Sequence, residues 1–477
     1  LNKKRQCFKN VTKILQKYYR ILLTFDLKCN ILSAEIWQAF CIKVSTHEKQ
    51  SRVKAKWEEY TLAIGDIIVG IDIGTSKISL VIGEVNNFNQ IEVICTNSCA
   101  CNGIKKGIII NENIIASTIK KLIKNAESEE KLRINSAYVT IPGKYTTIVQ
   151  NSITKEVRDR FSGVSAKDVS TSLLLVKDID IPEDKQIIDI VENQFILENG
   201  KIVQDPIGSF SSMFTLKAQV ILADKEYMRQ IASIFKKADL DIDGLVPITL
   251  AQRSMVLDNN ELNDNVMILD IGAGNTEIGI FEGQNFVYTN TIPLGGDNIT
   301  NDIALVLNIS TEEADKLKKQ YGLALKSFID NDNEILLTTY KEDEGKKVIR
   351  SSELIEIMEA RIEEIFSLVN KDITLQGIKP RINNVILTGQ GVANINKSDV
   401  AGKIILNIPV KVATGRMISN IRPEYQTAYA LVRYIASRPF SKTVSSNIDT
   451  ETEEGTLKQI LERVKEFFYS WWIRFKY

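Results

Sequence analysis

The stretch GIDIGTSKISLVIG, residues 70–83, and the stretch LDIGAGNTEIGIF, residues 269–281, follow the same pattern. In each, an apolar run ends in Asp-Ile-Gly, a turn of small residues follows, and a second apolar run continues the chain. β-Branched runs on both sides of such a turn predict a β-hairpin. Because the two copies lie far apart in the chain, they indicate two similar half-domains that face each other, and not a short-period repeat.

Each turn is made of residues that suit an anion. Glycine lets the backbone approach a ligand closely and exposes its N–H groups, while threonine, serine and asparagine add further donors. Two such tips would hold a polyphosphate from both sides, and the lysine of the first tip would neutralise part of its charge. The candidate phosphate-binding residues are Gly74, Thr75, Ser76 and Lys77 in the first turn and Gly272, Gly274 and Asn275 in the second.

An aspartate ends the first strand of each hairpin. Asp72 and Asp270 occupy equivalent positions in the two motifs. Mg²⁺ in proteins keeps several waters and binds through one or two carboxylates together with phosphate oxygens. We therefore expect these two aspartates to hold Mg²⁺ through its waters.

A third motif, VILTGQG at residues 385–391, predicts a buried strand that runs into a Gly-x-Gly turn. Gly389 and Gly391 would offer a flat backbone surface to an adenine or a ribose. The segment PGKYT at residues 142–146 superficially resembles a P-loop. Tyr138 stands where that motif requires its first glycine, so the Walker pattern fails.

The composition is that of an ordinary globular protein, with 44% hydrophobic and 25% charged residues in a chain of 477 and no formal net charge. This length predicts about two to four domains, and the charge does not favour nucleic acid. The only histidine is His47, so the chain beyond it cannot use Ser-His-Asp, Cys-His or histidine–metal chemistry. The cluster Cys95, Cys99 and Cys101 lacks a second ligand pair for zinc, and we expect ordinary thiols there.

In this order and separation, DIGTSKI, DIGAGNTEIGIF and VILTGQG resemble the phosphate-1, phosphate-2 and adenosine motifs of the actin, Hsp70 and sugar-kinase superfamily. Within it, IPLGGDNITNDIALVLNISTEEADKLKKQYG at residues 292–322 is similar to the segment after phosphate 2 in the bacterial FtsA family. The resemblance covers roughly residues 64–437 and the C-terminal tail. It implies an α/β, actin-like (ribonuclease H-like) two-domain fold with an inserted α+β subdomain and a C-terminal amphipathic helix.

The resemblance also implies an ATP-binding cleft between the two hairpin tips, with Mg²⁺, and with further nucleotide contacts from Gly296, Asp315, Lys318, Gly389 and Gly391. In relatives that hydrolyse ATP, a Glu or Gln before the proline of the connecting helix orients the attacking water. Here GLVPITLA puts Val246 at that position, with Gln252 further along the chain. Valine cannot orient or deprotonate water, so we expect ATP binding with weak or no ATPase activity.

The resemblance and the local patterns together predict a domain order. Domain 1A comprises 62–149 and its return 229–264, and a 1C-type subdomain is inserted at 150–228. Domain 2A comprises 265–294 and its return 376–437, with subdomain 2B at 295–375. A flexible polar linker is expected at 438–455, before the tail.

Residues 1–61 carry 13 Lys+Arg against 5 Asp+Glu and show no clean helical or strand period. KWEEYTL can be back-translated to a purine-rich ribosome-binding sequence a few codons before Leu62, which a UUG start codon could encode. We therefore expect the natural product to begin at Leu62. The alternative is a genuine basic N-terminal arm, and the mass of the native protein distinguishes the two.

The tail, residues 456–477, has an apolar and aromatic stripe at helical spacing and five Lys+Arg against two Glu. Such a helix is typical of one that lies in the surface of an anionic bilayer. The alternative is a helix docked on the protein's own core, which would rarely need a polar linker. The expected membrane-binding residues are Leu457, Ile460, Leu461, Val464, Phe467, Phe468, Trp471, Trp472 and Phe475.

These features favour a structural adaptor: an ATP-binding, actin-like protein that polymerises on the inner face of the cytoplasmic membrane at the division septum. As the FtsA resemblance implies, it would anchor the tubulin-like protein FtsZ and meet other division proteins. One alternative is an actin-like scaffold of another envelope machine, such as pilus assembly. A small-molecule kinase of the same fold is less well supported, because the motifs supply no catalytic base.

Overall fold

The computed structural model describes residues 66–86, 91–157, 163–258, 261–337, 347–413 and 421–438. All of them belong to one compact unit of the chain, Thr61–Tyr477. The predictions for the leader, for all but the first residue of the linker and for the amphipathic helix at 456–477 therefore lie outside the described residues.

The described chain contains both strands and helices, with several runs of consecutive strands. The strands are β1 (Ile67–Ile73), β2 (Lys77–Val85), β3 (Ile91–Ala100), β4 (Ile104–Lys105), β5 (Ile108–Ile109), β6 (Ser136–Ile141), β7 (Thr146–Glu156), β8 (Lys185–Leu197), β9 (Ile202–Val203), β10 (Met213–Asp224), β11 (Asp241–Pro247), β12 (Asn265–Ile271), β13 (Thr276–Glu282), β14 (Asn285–Ile292), β15 (Glu334–Leu337), β16 (Lys347–Arg350), β17 (Asn384–Thr388) and β18 (Val410–Val412). The helices are α1 (Glu112–Glu130), α2 (Ala166–Leu175), α3 (Lys225–Lys237), α4 (Ile248–Val256), α5 (Gly296–Leu307), α6 (Thr311–Gln320), α7 (Ser351–Leu375), α8 (Ser398–Leu406) and α9 (Gln426–Ala436).

Two five-stranded sheets are built on the same plan. The first has the order β11-β6-β1-β2-β3 and the second the order β18-β17-β12-β13-β14. In both, an antiparallel hairpin lies beside a third antiparallel strand on one side and two parallel strands on the other. The repeated Asp-Ile-Gly motif therefore marks a repeated sheet, as the sequence predicts.

The register places the two aspartates at equivalent points. Asp72 is opposite Ser79 in the first hairpin, and Asp270 is opposite Glu277 in the second. The apolar residues before Asp72 are buried in one core, which we call the first core. Those before Asp270 alternate between the first core and a second core, because both faces of the second sheet are covered. Each motif thus begins where the central strand of a five-stranded sheet ends.

The inserted subdomain is a third sheet with the order β7-β10-β8-β9, covered by α2. Its β7 continues directly from the first sheet through a short turn after β6, and α3 returns the chain to the first sheet. Ser165 caps α2 and forms a capping box with Asp168, as expected for the start of a helix in SAKDVSTSLLL.

Two details differ from the sequence predictions. Segment 330–347 is rich in polar residues, which is typical of a loop, yet it contains β15 and ends at the start of β16, and these two strands pair antiparallel. Alternate apolar residues such as Ile335 and Leu337 are buried, which explains the strand. The second difference concerns the last helix.

Helix α9 lies within the segment predicted to return to the second domain, yet it packs on the first sheet. Gly70 and Gly83 permit this contact, because a Cβ on either residue would lie 2.7 or 2.9 Å from the side chain of Val432. The described chain therefore begins and ends on the first sheet, with the second sheet between.

Candidate functional site

The two hairpin turns have the same internal geometry. The N–H of Gly74 donates to the Lys77 carbonyl at 3.0 Å, and the N–H of Gly272 donates to the Asn275 carbonyl at 2.9 Å. The tips also touch each other, since Thr75 Oγ1 donates to Asn275 Oδ1 at 3.4 Å. The predicted phosphate-binding turns of the two sheets therefore meet at one place.

The third motif closes onto the second tip. The N–H of Gly391 donates to the Ile271 carbonyl at 2.8 Å, and a Cβ on Gly391 would lie only 2.2 Å from the Gly272 carbonyl oxygen. Gly389 has a φ of +88°, and a Cβ there would lie 2.2 Å from Asp270 Oδ1. Only glycine fits these two positions, because any side chain would push the turn away from the second hairpin.

Gly296 and Lys318 belong to the same junction. The Gly296 N–H donates to the Gly272 carbonyl at 2.9 Å, which fixes the start of α5 beside the second tip. The buried ammonium of Lys318 donates to the Gly296 carbonyl at 3.2 Å and to Thr300 Oγ1 at 2.7 Å. Asp315 pairs with Lys318 at 3.1 Å and is the more exposed of the two. Lys318 thus holds the N-terminal end of α5 in place through Gly296 and Thr300.

The aspartates lie behind the tips and are only partly exposed. Loss of solvent around the carboxylate raises the pKa of Asp72 to about 6, against a lowering effect of the Thr140 hydroxyl, which donates at 2.8 Å. The negative charge of Asp270 raises it further, and the positive charge of Lys77 lowers it. Burial also raises the pKa of Asp270, while the Gln252 amide, which donates at 2.5 Å, opposes this. Burial thus disfavours the charged form of both carboxylates, and the charge of Asp270 adds to this effect at Asp72.

This donor set fits a hydrated divalent cation. A cation between Asp72 and Asp270 would offset the two effects that raise the Asp72 pKa, which are burial first and the charge of Asp270 second. Gln252 Oε1 is buried beside them and lacks a hydrogen-bond partner among the described residues, so it could accept from a water of such an ion. Lys77 reaches the third motif, where its ammonium lies 3.5 Å from Gln390 Oε1. Charges of both signs therefore surround the tips.

Sequence reasoning missed Thr140 and Glu277 in this region, and it named Gln252 without predicting its contact with Asp270. Thr140 and Gln252 bond the two aspartates, and Glu277 lies on β13 directly opposite Asp270. Glu277 is 3% exposed and accepts from Asn275 Nδ2 at 2.7 Å. Its signal in the sequence is an acidic residue within the otherwise apolar run TEIGIF, which would be costly to bury without partners.

Val246 is in the last part of β11, beside Thr140 of β6, and it is fully buried in the first core. Gln252 lies next to Asp270, and its amide nitrogen Nε2 donates to Asp270 Oδ2 and, at 3.2 Å, to Thr427 Oγ1. Its amide N–H groups are therefore committed to protein acceptors in this structure.

Two further observations concern metal-ligating side chains and membrane-spanning helices. Among the described residues, no cluster of three or more metal-ligating side chains occurs, and Cys95, Cys99 and Cys101 are free thiols. None of the described helices is both long and apolar enough to cross a membrane.

Comparison with known proteins identifies relatives along most of the chain. The family model of the cell division protein FtsA matches residues 267–430, and the model of the SHS2 domain inserted in FtsA matches residues 143–222. The cell division protein FtsA of Pseudomonas aeruginosa is 27% identical over 410 residues, which cover 84% of this chain and 97% of the relative. That of Bacillus subtilis is 28% identical over 369 residues, which cover 77% of this chain and 83% of the relative.

The solved structure of the PilM–PilN type IV pilus biogenesis complex is similar to this chain with a TM-score of 0.50 and 14% sequence identity. The match covers 78% of this chain and 98% of the other, and at this identity it concerns the fold alone. The predicted actin-like α/β fold with an inserted subdomain is confirmed. From its two matching family models and its relatives, this chain belongs to the family of the cell division protein FtsA.

Proposed function

We propose that this chain is an ATP-binding, actin-like division protein that assembles on the inner face of the cytoplasmic membrane and anchors FtsZ filaments there. The observation that carries the proposal is the convergence of three Gly-rich turns at one point, with Asp72 and Asp270 directly behind them. Backbone N–H groups, hydroxyls and one ammonium at that point suit a polyphosphate. The family membership supports the role in division.

The residues that would hold the nucleotide follow from this geometry. The turns at 74–77 and 272–275 would bind the phosphates, and the turn at 389–391 would lie against the nucleoside. Asp72 and Asp270 would hold Mg²⁺ through its waters, which would supply positive charge next to the phosphates. Titration of the purified chain with a fluorescent ATP analogue, with and without Mg²⁺, tests this part. An affinity that is unchanged by EDTA would contradict the metal site.

We further propose that ATP turnover is slow or absent. Val246 is buried and apolar, and the nearby Gln252 amide donates to Asp270 and Thr427. Val246 has no polar group that could orient an attacking water, and we assign Oε1 of Gln252, which lacks a partner among the described residues, to a water of the Mg²⁺ ion. Phosphate release should be far below the turnover of about 1–10³ s⁻¹ that is common for enzymes. A rate within that range would contradict the proposal.

Membrane attachment and assembly are linked in this proposal. A single amphipathic helix binds a bilayer reversibly, whereas many helices on one filament bind with high avidity. Electron microscopy of the full chain on an anionic lipid monolayer with ATP should show filaments, and added FtsZ should be recruited to them. A variant lacking 456–477 should still bind ATP but leave the monolayer bare. Filaments that never recruit FtsZ would favour the scaffold of another envelope machine.

A further inference from the structure

The segment IPGKYT, which fails the P-loop pattern, forms the junction between the first sheet and the inserted subdomain. Residues Gly143–Tyr145 make a short 3₁₀ turn that follows β6 and leads directly into β7. We call residues 142–145 the junction turn. Its position means that any displacement of the turn is transmitted to β7, which pairs with β10 over eleven registered positions.

The junction turn also contacts the second sheet. A Cβ on Gly143 would lie 2.4 Å from Thr289 Oγ1 and 2.8 Å from the backbone N of Asn290, so its backbone lies directly on β14. The N–H of Gly143 donates to Glu277 Oε2 at 2.8 Å, and the N–H of Lys144 donates to Thr291 Oγ1 at 3.0 Å. The turn is therefore bonded to the second sheet through its backbone.

Glu277 connects this contact to the second hairpin tip. Its Oε2 accepts from Gly143 and also from Thr291 Oγ1, at 2.8 Å. Its Oε1 accepts from the side chain of Asn275, at 2.7 Å. One buried carboxylate thus receives one hydrogen bond from the candidate phosphate-binding tip and another from the junction turn.

The other end of the junction turn is fixed to the inserted subdomain's return. The ring of Tyr145 stacks on that of Tyr227 in α3, with centroids 4.0 Å apart and planes inclined by 16°. The Lys144 ammonium lies 4.7 Å from the centre of the Tyr145 ring. A shift of the junction turn would therefore affect both β7, which enters the inserted subdomain, and α3, which leads out of it.

We propose that Glu277 is a positioning residue that couples nucleotide occupancy at the Asn275 tip to the conformation of the inserted subdomain, through the junction turn. This inference rests on the proposed nucleotide site. A phosphate that takes a hydrogen bond from Asn275 changes the partner of Glu277 Oε1, and the same carboxylate holds Gly143 with its other oxygen. The inserted subdomain therefore adopts a different position or stability when the tip is occupied.

Hydrogen exchange of the full chain, with and without saturating ATP and Mg²⁺, tests the coupling. In the unmodified protein, ATP should change exchange at 144–157 and 213–224 by at least about fivefold, the lower range of typical coupling between sites. Thr291→Val, which keeps side-chain volume but removes the acceptor of Lys144 and a donor to Glu277, should lose this change. Glu277→Gln, which alters the bond to Asn275, should reduce it as well.

Asn193→Ala is the matched control. It removes the hydrogen bond from Asn193 Nδ2 to Asn285 Oδ1 (2.6 Å), which also joins the inserted subdomain to β14 but does not involve the tip. This variant should keep the ATP response. If all three variants lose the response, or if all three keep it, Glu277 is not the coupling residue.

Direct ATP titration separates the failure of this inference from that of the proposed function. If the unmodified chain does not bind ATP, the proposed nucleotide site is wrong and the coupling with it. If ATP binds but exchange at 144–157 and 213–224 is unchanged, the nucleotide site stands and the coupling is refuted.

Discussion

The end of α9 is fixed to the inserted subdomain by a buried ion pair, and its removal should be costly. Arg438 Nη1 lies 2.5 Å from Asp189 Oδ2, and the two side chains are only 6% and 1% exposed. The guanidinium also donates to the Ile190 carbonyl and lies 3.6 Å from Glu192. The carboxylates of Asp189 and Glu192 raise the pKa of Arg438, against the lowering effect of burial. We expect Arg438→Met to be destabilising.

The magnitude follows from the uncompensated charge that the change leaves behind. Removing one partner of a buried pair costs about 3–5 kcal/mol, because the remaining carboxylate stays in a medium that solvates it poorly. For a folded unit of this size, that lowers the thermal midpoint by about 4–6 °C. Differential scanning calorimetry of the full chain measures it.

A second ion pair of the same length provides the control. Lys120 and Asp239 are also 2.5 Å apart, but their side chains are 44% and 75% exposed. Lys120→Met should cost at most about 1 kcal/mol, since solvent screens an exposed pair. The double variant Asp189→Asn with Arg438→Met should recover part of the loss, because no unpaired charge remains from this pair. Equal losses for Arg438→Met and Lys120→Met would refute the reasoning from burial.

Three further predictions concern the candidate site. Gly391→Ala should weaken ATP binding by at least about tenfold, because the new Cβ would lie 2.2 Å from the Gly272 carbonyl oxygen. Gly200→Ala is the control, since nothing lies within 4 Å of its Cβ position. It should leave ATP binding unchanged and lower the free energy of unfolding by only about 1 kcal/mol, because Gly200 has a positive φ. Lys318→Met should reduce ATP affinity, because it removes the hydrogen bond that holds the Gly296 carbonyl at the start of α5. The same change at the exposed Lys319, which also pairs with Asp315, should leave the affinity unchanged. Equal effects of the two variants in ATP titrations would contradict this. Burial raises the pKa of Glu277 from 4.5 to about 7, so the folded state binds this proton more tightly than the unfolded state does. The free energy of unfolding should therefore fall by on the order of 3 kcal/mol as pH rises between these two values. In urea titrations Glu277→Gln should flatten that part of the profile, and an unchanged slope would show that other groups cause it.

Local patterns were sufficient to predict both hairpins and the order of motifs. Asp-Ile-Gly followed by a turn of small residues and an apolar run is compatible with few local structures other than a β-hairpin, because β-branched runs joined by a glycine turn favour a hairpin without help from the rest of the chain. Helices α1 and α7 can be recognised in the same way, because their apolar residues repeat at helical spacing over a long stretch. These elements depend mainly on residues that are close in the chain.

Contacts between distant segments could not be predicted in this way. Thr140 and Gln252 bond the aspartates only because β6 and α4 pack beside the hairpins, and nothing in their local sequence indicates it. Helix α9 was assigned to the wrong sheet for a similar reason: its amphipathic period shows that it packs on something, but not on which sheet. Gly70 and Gly83 were available as signals, since a glycine within a strand often marks a close approach.

The two hairpins have the same strand pairing and turn geometry but differ in the residues at their tips. The first presents two hydroxyls and an ammonium, from Thr75, Ser76 and Lys77, whereas the second presents Ala273, Gly274 and the amide of Asn275. A ligand held between them would meet a charged surface on one side and a neutral surface on the other. The duplicated fold therefore supplies a symmetric shape, and the divergence of three residues gives it polarity, so that an asymmetric chain of phosphates would be bound in one direction.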